Sequence, residues 1–298
     1  MLKFINKFLP SSKFKIDPFV NFNKLDMIQP ISLSDLSLIK PIQKKILGLI
    51  DTDENISISK SNKFMSLIIP YRHRQEHLDI FLPYMKQYLE SQKVEYEIII
   101  VEQSDDKPFN RAKLMNIGAL NANEKSNYFV FHDVDLLPQN IDYRYCNHSQ
   151  KLFSFIEIND KYKEFKETNF GGVVLVPKKI FFNINGFSNN YWQWGKEDDD
   201  FLMRHLFKGY IPLLDKHGKL RALPHEASKT RDNKGNYVTD KAIIKENEKL
   251  YQKNRQHFSD FKRGFSSQDQ DGISSIKDYI IDSITTQKNI KILRVTLS

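Results

Sequence analysis

The chain has 298 residues, of which 40% are hydrophobic and 12% aromatic, enough for one or two folded domains with a sizeable core. Glycine and proline, at 11 residues each, are too few for a collagen-like or low-complexity chain. The 45 basic and 37 acidic residues give a net charge of +8, which favours anionic partners without choosing among nucleic acid, acidic lipid and phosphate-bearing small molecules.

The first part of the chain is irregular, with four prolines before residue 42. Residues 1–16 carry four lysines and no acid, interleaved with apolar side chains. This pattern suits peripheral contact with an anionic membrane, and it is equally typical of a plain basic terminus. We predict an N-terminal extension or stem over residues 1–62, followed by one folded domain over residues 63–298.

From residue 63 onward, strand and helix signals alternate. Short apolar runs predict buried strands at 64–70, 96–101 and 128–131. Apolar residues at helical spacing predict helices over 75–91 and 111–123. This order predicts an α/β fold with a parallel sheet covered by helices. Because ligands bind such sheets beyond the carboxyl ends of the strands, the polar residues after each strand should converge on one crevice.

Those polar residues suit a phosphate ligand with a divalent cation. Arg72 and Arg74 follow the first strand, and Asp133-Val134-Asp135 follows the third. Arginine grips phosphate oxygens with two parallel hydrogen bonds, and carboxylates bind Mg²⁺ or Mn²⁺ bridging a diphosphate. Since no glycine-rich phosphate loop is present, side chains and metal must hold the phosphates.

A second group lies in residues 169–205. Both tryptophans, Trp192 and Trp194, precede four consecutive acids at 197–200, where a helix is expected to begin. Aromatic faces beside carboxylates suit a carbohydrate pocket, and a carboxylate there can deprotonate an attacking hydroxyl. The alternative is a solvated helix start beside two core tryptophans.

Five ordered motifs in the chain resemble the β-1,4-galactosyltransferase family of metal-dependent inverting glycosyltransferases. They are IIPYRHRQEHL (68–78), PFNRAKLMNIG (108–118), FHDVDLLP (131–138), NFGGVVLVPKKIFFNINGF (169–187) and NNYWQWGKEDDD (189–200). Residues 271–297 are similar to the family's C-terminal strand pair. The resemblance covers about 63–298 and implies a nucleotide-sugar-binding fold of the GT-A type, with a twisted, mixed and mostly parallel sheet flanked by helices.

The resemblance also implies roles for particular residues. It implies nucleotide-sugar binding by Pro70, Tyr71, Arg72, Arg74, Phe109, Arg111, Asp133, Val134, Gly172 and Trp194. It implies metal binding by Asp135 and His225, with Mn²⁺ as the cofactor and Mg²⁺ as the alternative. Asp198 is implied as the catalytic base, with Glu197 against the donor sugar. Acceptor contacts are implied at Asn169, Trp194, Gly195 and Asp199.

The implied reaction is transfer of galactose from UDP-galactose to a GlcNAc-like acceptor sugar in a β-1,4 linkage. Two positions depart from the family pattern. Ala222 stands where a methionine precedes the metal-binding histidine, and Asn169 stands where galactose-specific animal enzymes have tyrosine. A smaller residue at 169 would admit an N-acetyl group. The alternatives are therefore a UDP-GalNAc-using or chondroitin-type β-glycosyltransferase, or a catalytically inactive carbohydrate-binding homologue.

The cellular setting is interpreted from what the sequence lacks. Animal members of the family are Golgi proteins with a membrane anchor and disulfides, whereas this chain shows no apolar run of 18 residues and one cysteine, Cys146. We expect a bacterial-type cytoplasmic enzyme, at the inner face of the cytoplasmic membrane. It would extend surface polysaccharide or lipooligosaccharide on a carbohydrate acceptor that is lipid-linked. Nucleic acid is not an expected partner, because no supporting motif or concentrated basic helix occurs.

Overall fold

The computed structural model describes residues 28–30, 60–165, 170–224, 230–259 and 271–297, with the backbone alone at 28–30 and 255–259. Two predicted site residues, Asn169 and His225, lie outside these ranges. So do the basic arm at 1–16 and most of the predicted extension over 1–62.

The described residues form strands and five α-helices in the following order. The strands are β1 Ile28–Pro30, β2 Lys60–Ser61, β3 Met65–Tyr71, β4 Tyr96–Gln103, β5 Tyr128–His132, β6 Leu136–Asn140, β7 Tyr145–Cys146, β8 Gln150–Lys151, β9 Phe155–Ile158, β10 Lys161–Glu164, β11 Val173–Pro177, β12 Leu213–Asp215, β13 Lys219–Ala222, β14 Thr230–Arg231, β15 Tyr237–Val238, β16 Tyr279–Gln287 and β17 Ile290–Leu297. The helices are α1 Gln75–Ser91, α2 Arg111–Leu120, α3 Lys178–Asn183, α4 Glu197–Phe207 and α5 Lys241–Ser259.

A nine-stranded mixed sheet forms the centre, in the order β1-β12-β8-β11-β5-β3-β4-β17-β16. Its central strands β5, β3, β4 and β17 run parallel to one another. Antiparallel pairs flank them, β11 beside β5 and β16 beside β17. This arrangement confirms the predicted α/β class and the twisted mixed sheet.

Two apolar cores lie on opposite faces of this sheet, because neighbouring side chains of a strand point to opposite faces. Ile68, Ile99 and Phe131 belong to the core that contains α2 and α4. Leu67 and Ile98 belong to the other core, which contains the apolar face of α1. Each fully buried side chain of this size contributes roughly 1.5–3 kcal/mol, so burial on both faces explains the continuous apolar runs.

The chain ends of these elements meet at one edge of the sheet. Arg72 and Arg74 follow β3, and Asp133 follows β5. Helix α2 begins there at Arg111, with the Asn110 side chain accepting a hydrogen bond from the Lys113 backbone N–H. Helix α4 begins with the acidic cluster, as predicted. The fold thus brings four separate sequence motifs to one place.

A smaller sheet, in the order β10-β9-β13-β6, lies beside this edge. Strand β13 pairs with β6 so that Ala222 lies opposite Leu136. The Leu223 N–H then donates to the Asp135 carbonyl at 2.7 Å. The chain that leads toward residue 225 therefore passes directly beside the Asp-Val-Asp turn.

Part of the predicted extension joins the main sheet. Strand β1 pairs antiparallel with β12 at the sheet edge, and β2 pairs with β7. The proposed boundary at residues 62 and 63 stays a prediction. Within the ranges that the structure describes, we find no helix with the length and apolarity needed to cross a bilayer.

Candidate active site

The ends of β3 and β5 and the starts of α2 and α4 enclose a cavity of about 350 Å³. Most of the predicted site residues line it, namely Pro70, Arg72, Arg74, Phe109, Arg111, Asp133, Val134, Asp135, Gly172, Trp194, Glu197 and Asp198. Sequence reasoning had placed these residues in five motifs, at positions up to 128 apart, from 70 to 198. Parallel strands that end at a common edge are what bring them together.

Arg111 is the electrostatic centre of this cavity. Its Nε donates to Asp133 Oδ1 at 2.8 Å and its Nη1 donates to Asp198 Oδ1 at 2.8 Å. The Glu197 carboxylate lies 3.6 Å from Nη1. Burial by itself would lower the pKa of Arg111, but the three acids outweigh it and raise that pKa. Arg111 therefore stays charged and holds the acids of two motifs together.

Glu197 and Asp133 have higher pKa values than ordinary carboxylates. Burial, with repulsion from Asp198, raises the pKa of Glu197 from 4.5 to about 8. Burial also raises the pKa of Asp133 from 3.8 to about 6, against the opposing attraction of Arg111. Glu197 is thus mostly protonated at neutral pH and can donate a hydrogen bond, which an ionised carboxylate cannot do.

Arg74 forms an ion pair with the carboxylate of Asp135. Both side chains are largely shielded from solvent, at 16% and 11% exposed. The pair spans from the end of β3 to the turn after β5. A divalent cation at Asp135 would compete with Arg74 for the same carboxylate, and it would free the guanidinium for an anion.

Arg72 lines the cavity and also braces a neighbouring loop. Its Nη1 donates to the Lys107 carbonyl and its Nη2 to the Asp105 carbonyl, each at 2.7 Å. Asp105 in turn accepts from the backbone N–H of Leu297, at 2.6 Å. Arg72 therefore braces the loop after β4. Asp105 and Asp106 of that loop accept hydrogen bonds from Leu297 and Asn233, and neither lines the cavity.

The four consecutive acids of α4 divide between site and scaffold. Glu197 and Asp198 line the cavity, whereas Asp199 pairs with Lys196 at 3.1 Å. Asp200 is fully buried and accepts from Arg204 Nε at 2.7 Å. This alternation follows from helix geometry, since successive residues point 100° apart. Two of the four acids thus line the cavity, and the other two form contacts within the protein.

Two glycines bring the start of β11 close to the acids. A Cβ built on Gly171 would lie 1.8 Å from Asp198 Oδ2, so the Asp198 carboxylate occupies the space of a side chain. Gly172 has a φ of +78°, which favours glycine, and its carbonyl accepts from the Asp133 N–H at 3.1 Å. The Gly-Gly pair therefore fixes the distance between the Asp-Val-Asp turn and α4.

His132 supports the same turn from the core. It is fully buried and its Nδ1 donates to the Asp133 carbonyl at 2.8 Å, so its Nε2 accepts from the Tyr143 hydroxyl, also at 2.8 Å. Burial lowers the pKa of His132 to about 4, so the ring is neutral near pH 7. This histidine is therefore a buried structural partner of the turn.

The tryptophan loop is held by α5. Asn247 donates to the Trp192 carbonyl at 2.8 Å and to the Trp194 carbonyl at 3.3 Å. Lys196 reaches Glu248 at 3.3 Å. Trp192 packs on the core, whereas the Trp194 side chain is half exposed at the cavity. Of the two tryptophans, Trp194 is thus the one that lines this cavity.

Three predicted site residues do not line the cavity. Tyr71 is buried in the core behind α1, and its hydroxyl donates to Gln75 at 3.4 Å. Gly195 adjoins the cavity without lining it, and Asp199 is engaged by Lys196. In each case a residue next to it in sequence lines the cavity, namely Pro70, Trp194 and Asp198. Successive residues of a strand or helix face different directions.

Sequence reasoning missed an apolar wall of the cavity. Phe153, Ile156, Ile158 and Phe165, from β9 and its flanks, line the side opposite the arginines. Thr230 and Arg231 of β14 line it as well. Alternating apolar residues at 153–158 were the available signal, but nothing in them distinguishes a cavity wall from a core strand.

The residues present fit a hard divalent cation. Asp133 and Asp135 offer carboxylate oxygens on one turn, the donors that Mn²⁺ and Mg²⁺ accept. Over the ranges that the structure describes, no group of three His, Cys, Asp or Glu side chains forms a complete metal site. The other predicted metal ligand, His225, follows Pro224, whose carbonyl accepts from His77 Nε2 at 3.1 Å.

The amino-acid sequence of the chain is similar to those of animal enzymes. The chain is 40% identical over 185 residues to β-1,4-galactosyltransferase 4 of Cricetulus griseus, covering 60% of this chain and 52% of the relative. It is 41% identical over 152 residues to β-1,4-galactosyltransferase 1 of Homo sapiens, covering 49% of this chain and 37% of the relative. The chain thus spans about half the length, or less, of the curated relatives it matches.

Solved structures resemble the fold over most of the chain. The catalytic domain of Drosophila β-1,4-galactosyltransferase 7, in complex with xylobiose, matches with a TM-score of 0.58 and 27% identity, over 79% of this chain and 94% of that chain. A mutant of the same Drosophila enzyme, in complex with manganese, UDP-Gal and xylobiose, matches with a TM-score of 0.53 and 26% identity, over the same shares.

These relatives correct the predicted cellular setting. Cytoplasmic localisation was inferred by setting this chain apart from the animal members of the family, and the relatives it matches are animal enzymes. The cytoplasmic prediction is therefore wrong, and the relatives do not support a bacterial-type member. The role in surface polysaccharide synthesis and the membrane contact through residues 1–16 stay predictions.

Two family models together match more than half of the chain. Residues 53–147 match the N-terminal region of glycosyl transferase group 7, and residues 152–226 match the N-terminal domain of galactosyltransferase. They contain every described residue that was predicted for the site. The chain belongs to the β-1,4-galactosyltransferase family of group 7 glycosyltransferases.

Proposed function

We propose that the protein transfers galactose from UDP-galactose to a GlcNAc-like acceptor sugar, forming a β-1,4 linkage with inversion at the anomeric carbon. The observation that carries this proposal is the single cavity that joins Arg74, Arg111 and the Asp-Val-Asp turn to Glu197 and Asp198. A cationic, carboxylate-bearing floor suits a sugar diphosphate, and the acids at the start of α4 suit sugar hydroxyls.

The diphosphate end of the donor lies, in this proposal, between Arg74 and the turn at Asp133 and Asp135. Asp135 and His225 are the proposed ligands of Mn²⁺, and a related Drosophila enzyme holds manganese together with UDP-Gal. When bound, Mn²⁺ supplies positive charge against the departing diphosphate. With a cation held at Asp135, the Arg74 guanidinium would be available to bind a phosphate oxygen.

Asp198 is the proposed base. One of its oxygens accepts from Arg111 and the other lies over Gly171, so the carboxylate has a fixed direction. It removes the proton from the acceptor hydroxyl as that oxygen attacks the anomeric carbon from the face opposite the leaving group. A single displacement from that face converts an α-linked donor into a β-glycoside.

Glu197 is the proposed contact to the donor sugar. Because burial raises its pKa to about 8, it presents a hydrogen-bond donor beside Asp198 at neutral pH. Trp194, half exposed at the cavity mouth, covers the sugar and keeps water from competing with the acceptor.

Asn169, the residue expected to influence the donor's 2-position, lies outside the described residues. UDP-galactose is therefore proposed from the family, and UDP-N-acetylgalactosamine stays the alternative donor.

The test is release of UDP from each donor, with Mn²⁺ or EDTA, using β-N-acetylglucosaminides as acceptors. Turnover that requires acceptor and is abolished by EDTA supports the proposal, and the faster donor identifies the sugar. Metal-dependent UDP binding without turnover on any acceptor would favour a catalytically inactive carbohydrate-binding homologue. Absence of UDP binding would contradict the transferase.

A further inference from the structure

The hairpin of β14 and β15, residues 230–238, covers the arginine side of the cavity. Arg231 forms an ion pair with Glu76 in the first turn of α1. Asn233 donates to Asp106 in the loop after β4. At Gly235, an added Cβ would lie 3.9 Å from the Cβ of His73, between the two arginines that follow β3. The hairpin is thus anchored on both sides of the segment that carries Arg72 and Arg74.

Three buried donors in this part of the cavity have no partner among the described residues. They are Arg72 Nε, Thr230 Oγ1 and Arg231 Nε. All three residues line the cavity. Buried polar atoms are nearly always hydrogen-bonded, so three unpartnered donors on residues that line one cavity point to an absent ligand with acceptor oxygens.

The other cavity arginines are more strongly engaged. Arg111 is held by three acids, and both terminal nitrogens of Arg72 are held by backbone carbonyls. The carboxylate that pairs with Arg231, on Glu76, is 52% exposed. An ion pair with such a solvated partner is weak, so Arg231 can exchange Glu76 for a ligand. Its contacts to the Gly235 carbonyl and the Tyr237 hydroxyl and ring keep the guanidinium on the hairpin.

We propose that Arg231, assisted by Thr230, is a further phosphate-binding residue that contacts the diphosphate of the donor nucleotide. Phosphate oxygens match guanidinium and hydroxyl donors in geometry and charge. The inference rests on the proposed function, because it assumes a nucleoside diphosphate in this cavity. It assigns a binding role to a hairpin outside the five family-like motifs.

The experiment compares UDP and uridine binding to the full chain with Mn²⁺, by isothermal titration calorimetry. The variants are Arg231→Gln, Glu76→Gln and a control, Lys234→Gln, which removes an exposed charge from the same hairpin. We expect Arg231→Gln to weaken UDP binding about tenfold, the lower range for a charged hydrogen bond, and to leave uridine binding unchanged. Lys234→Gln should bind UDP like wild type.

Glu76→Gln separates phosphate binding from simple anchoring of the hairpin. It releases Arg231 for the ligand, so UDP should bind as tightly as to wild type or more tightly. Equal weakening by Glu76→Gln and Arg231→Gln would overturn the inference, because the ion pair would then serve only to hold the hairpin. Wild-type UDP affinity in Arg231→Gln, or an effect seen only on acceptor binding, would overturn it too.

These outcomes are distinct from failure of the proposed function. If wild type binds UDP with Mn²⁺ and Arg231→Gln binds it equally well, the inference alone is wrong. If wild type does not bind UDP, the proposed function fails and the inference fails with it. Unchanged thermal unfolding of each variant shows that the hairpin change has not unfolded the site.

Discussion

Arg111 Nη1 donates to Asp198 Oδ1 at 2.8 Å, which joins the first turn of α2 to the first turn of α4 across the cavity. The same guanidinium holds Asp133 through its Nε. One buried side chain therefore balances the charge of a catalytic candidate and of a metal-site candidate. Stability and chemistry are coupled at this residue.

Arg111→Met is expected to destabilise the fold strongly. It leaves Asp133, Asp198 and Glu197 without their shared cation, and breaking a buried pair in this way costs about 3–5 kcal/mol. Urea unfolding measures the change. The control is Lys249→Gln, whose pair with Glu246 is exposed to solvent and should contribute ~1 kcal/mol or less. Equal small losses for both variants would contradict a central role for Arg111.

Asp198→Asn is expected to abolish most of the transfer while leaving UDP binding intact. The amide keeps the shape of the side chain but cannot accept the acceptor's proton, and loss of a general base costs roughly 10²–10⁴-fold in rate. Single-turnover transfer and UDP titration measure the two effects separately. Wild-type transfer by this variant would remove Asp198 from the role of base.

Asp135→Asn is expected to weaken metal-dependent UDP binding. Loss of even a supporting partner of a metal ligand costs about 10–100-fold in metal affinity, so loss of the proposed ligand itself should cost at least that. Titration of UDP at several Mn²⁺ concentrations measures the change. The structure adds a second expectation, since Arg74 loses its ionic partner in this variant. Metal-independent UDP binding should therefore not fall.

Gly171→Ala is expected to displace the Asp198 carboxylate, because the new Cβ would lie 1.8 Å from Oδ2. A displacement of about 1 Å costs ~100-fold in rate. The matched test is a double-mutant cycle. In an Asp198→Ala background the space is open, so Gly171→Ala should then destabilise the fold much less. Additive losses of stability would show that the two residues are not in contact.

The free energy of unfolding should depend on pH through the titration of Glu197. Its pKa is raised from 4.5 to about 8, so the folded protein keeps a proton that the unfolded chain loses within that window. Its contribution to stability is complete below pH 4.5 and is lost as the pH rises through about 8. Glu197→Gln should reduce the decline in the free energy of unfolding between pH 6 and 8. Asp133, whose pKa is about 6, affects the free energy of unfolding at lower pH.

That prediction is checked by urea unfolding of wild type and Glu197→Gln across the same pH range. The wild-type free energy of unfolding should decline with pH relative to the variant. Parallel curves would mean that Glu197 titrates like an exposed carboxylate.

The sequence by itself determined the elements and most of the site. Apolar runs buried on both faces predicted β3, β4 and β5, and helical spacing of apolar residues predicted α1, since burial imposes those periods on a chain. The Asp-Val-Asp turn and the start of α4 were predicted because parallel strands and helix N-termini fix where polar residues can gather.

Tertiary structure decided which of two neighbouring residues lines the cavity. Asp198 lines the cavity while Asp199 pairs with Lys196, and Pro70 lines the cavity while Tyr71 is buried in the core. These choices depend on the rotation of a helix or the exit direction of a strand, which no local pattern encodes. Contacts between distant segments, such as Arg231 with Glu76, exist only once the sheet has brought their chains together.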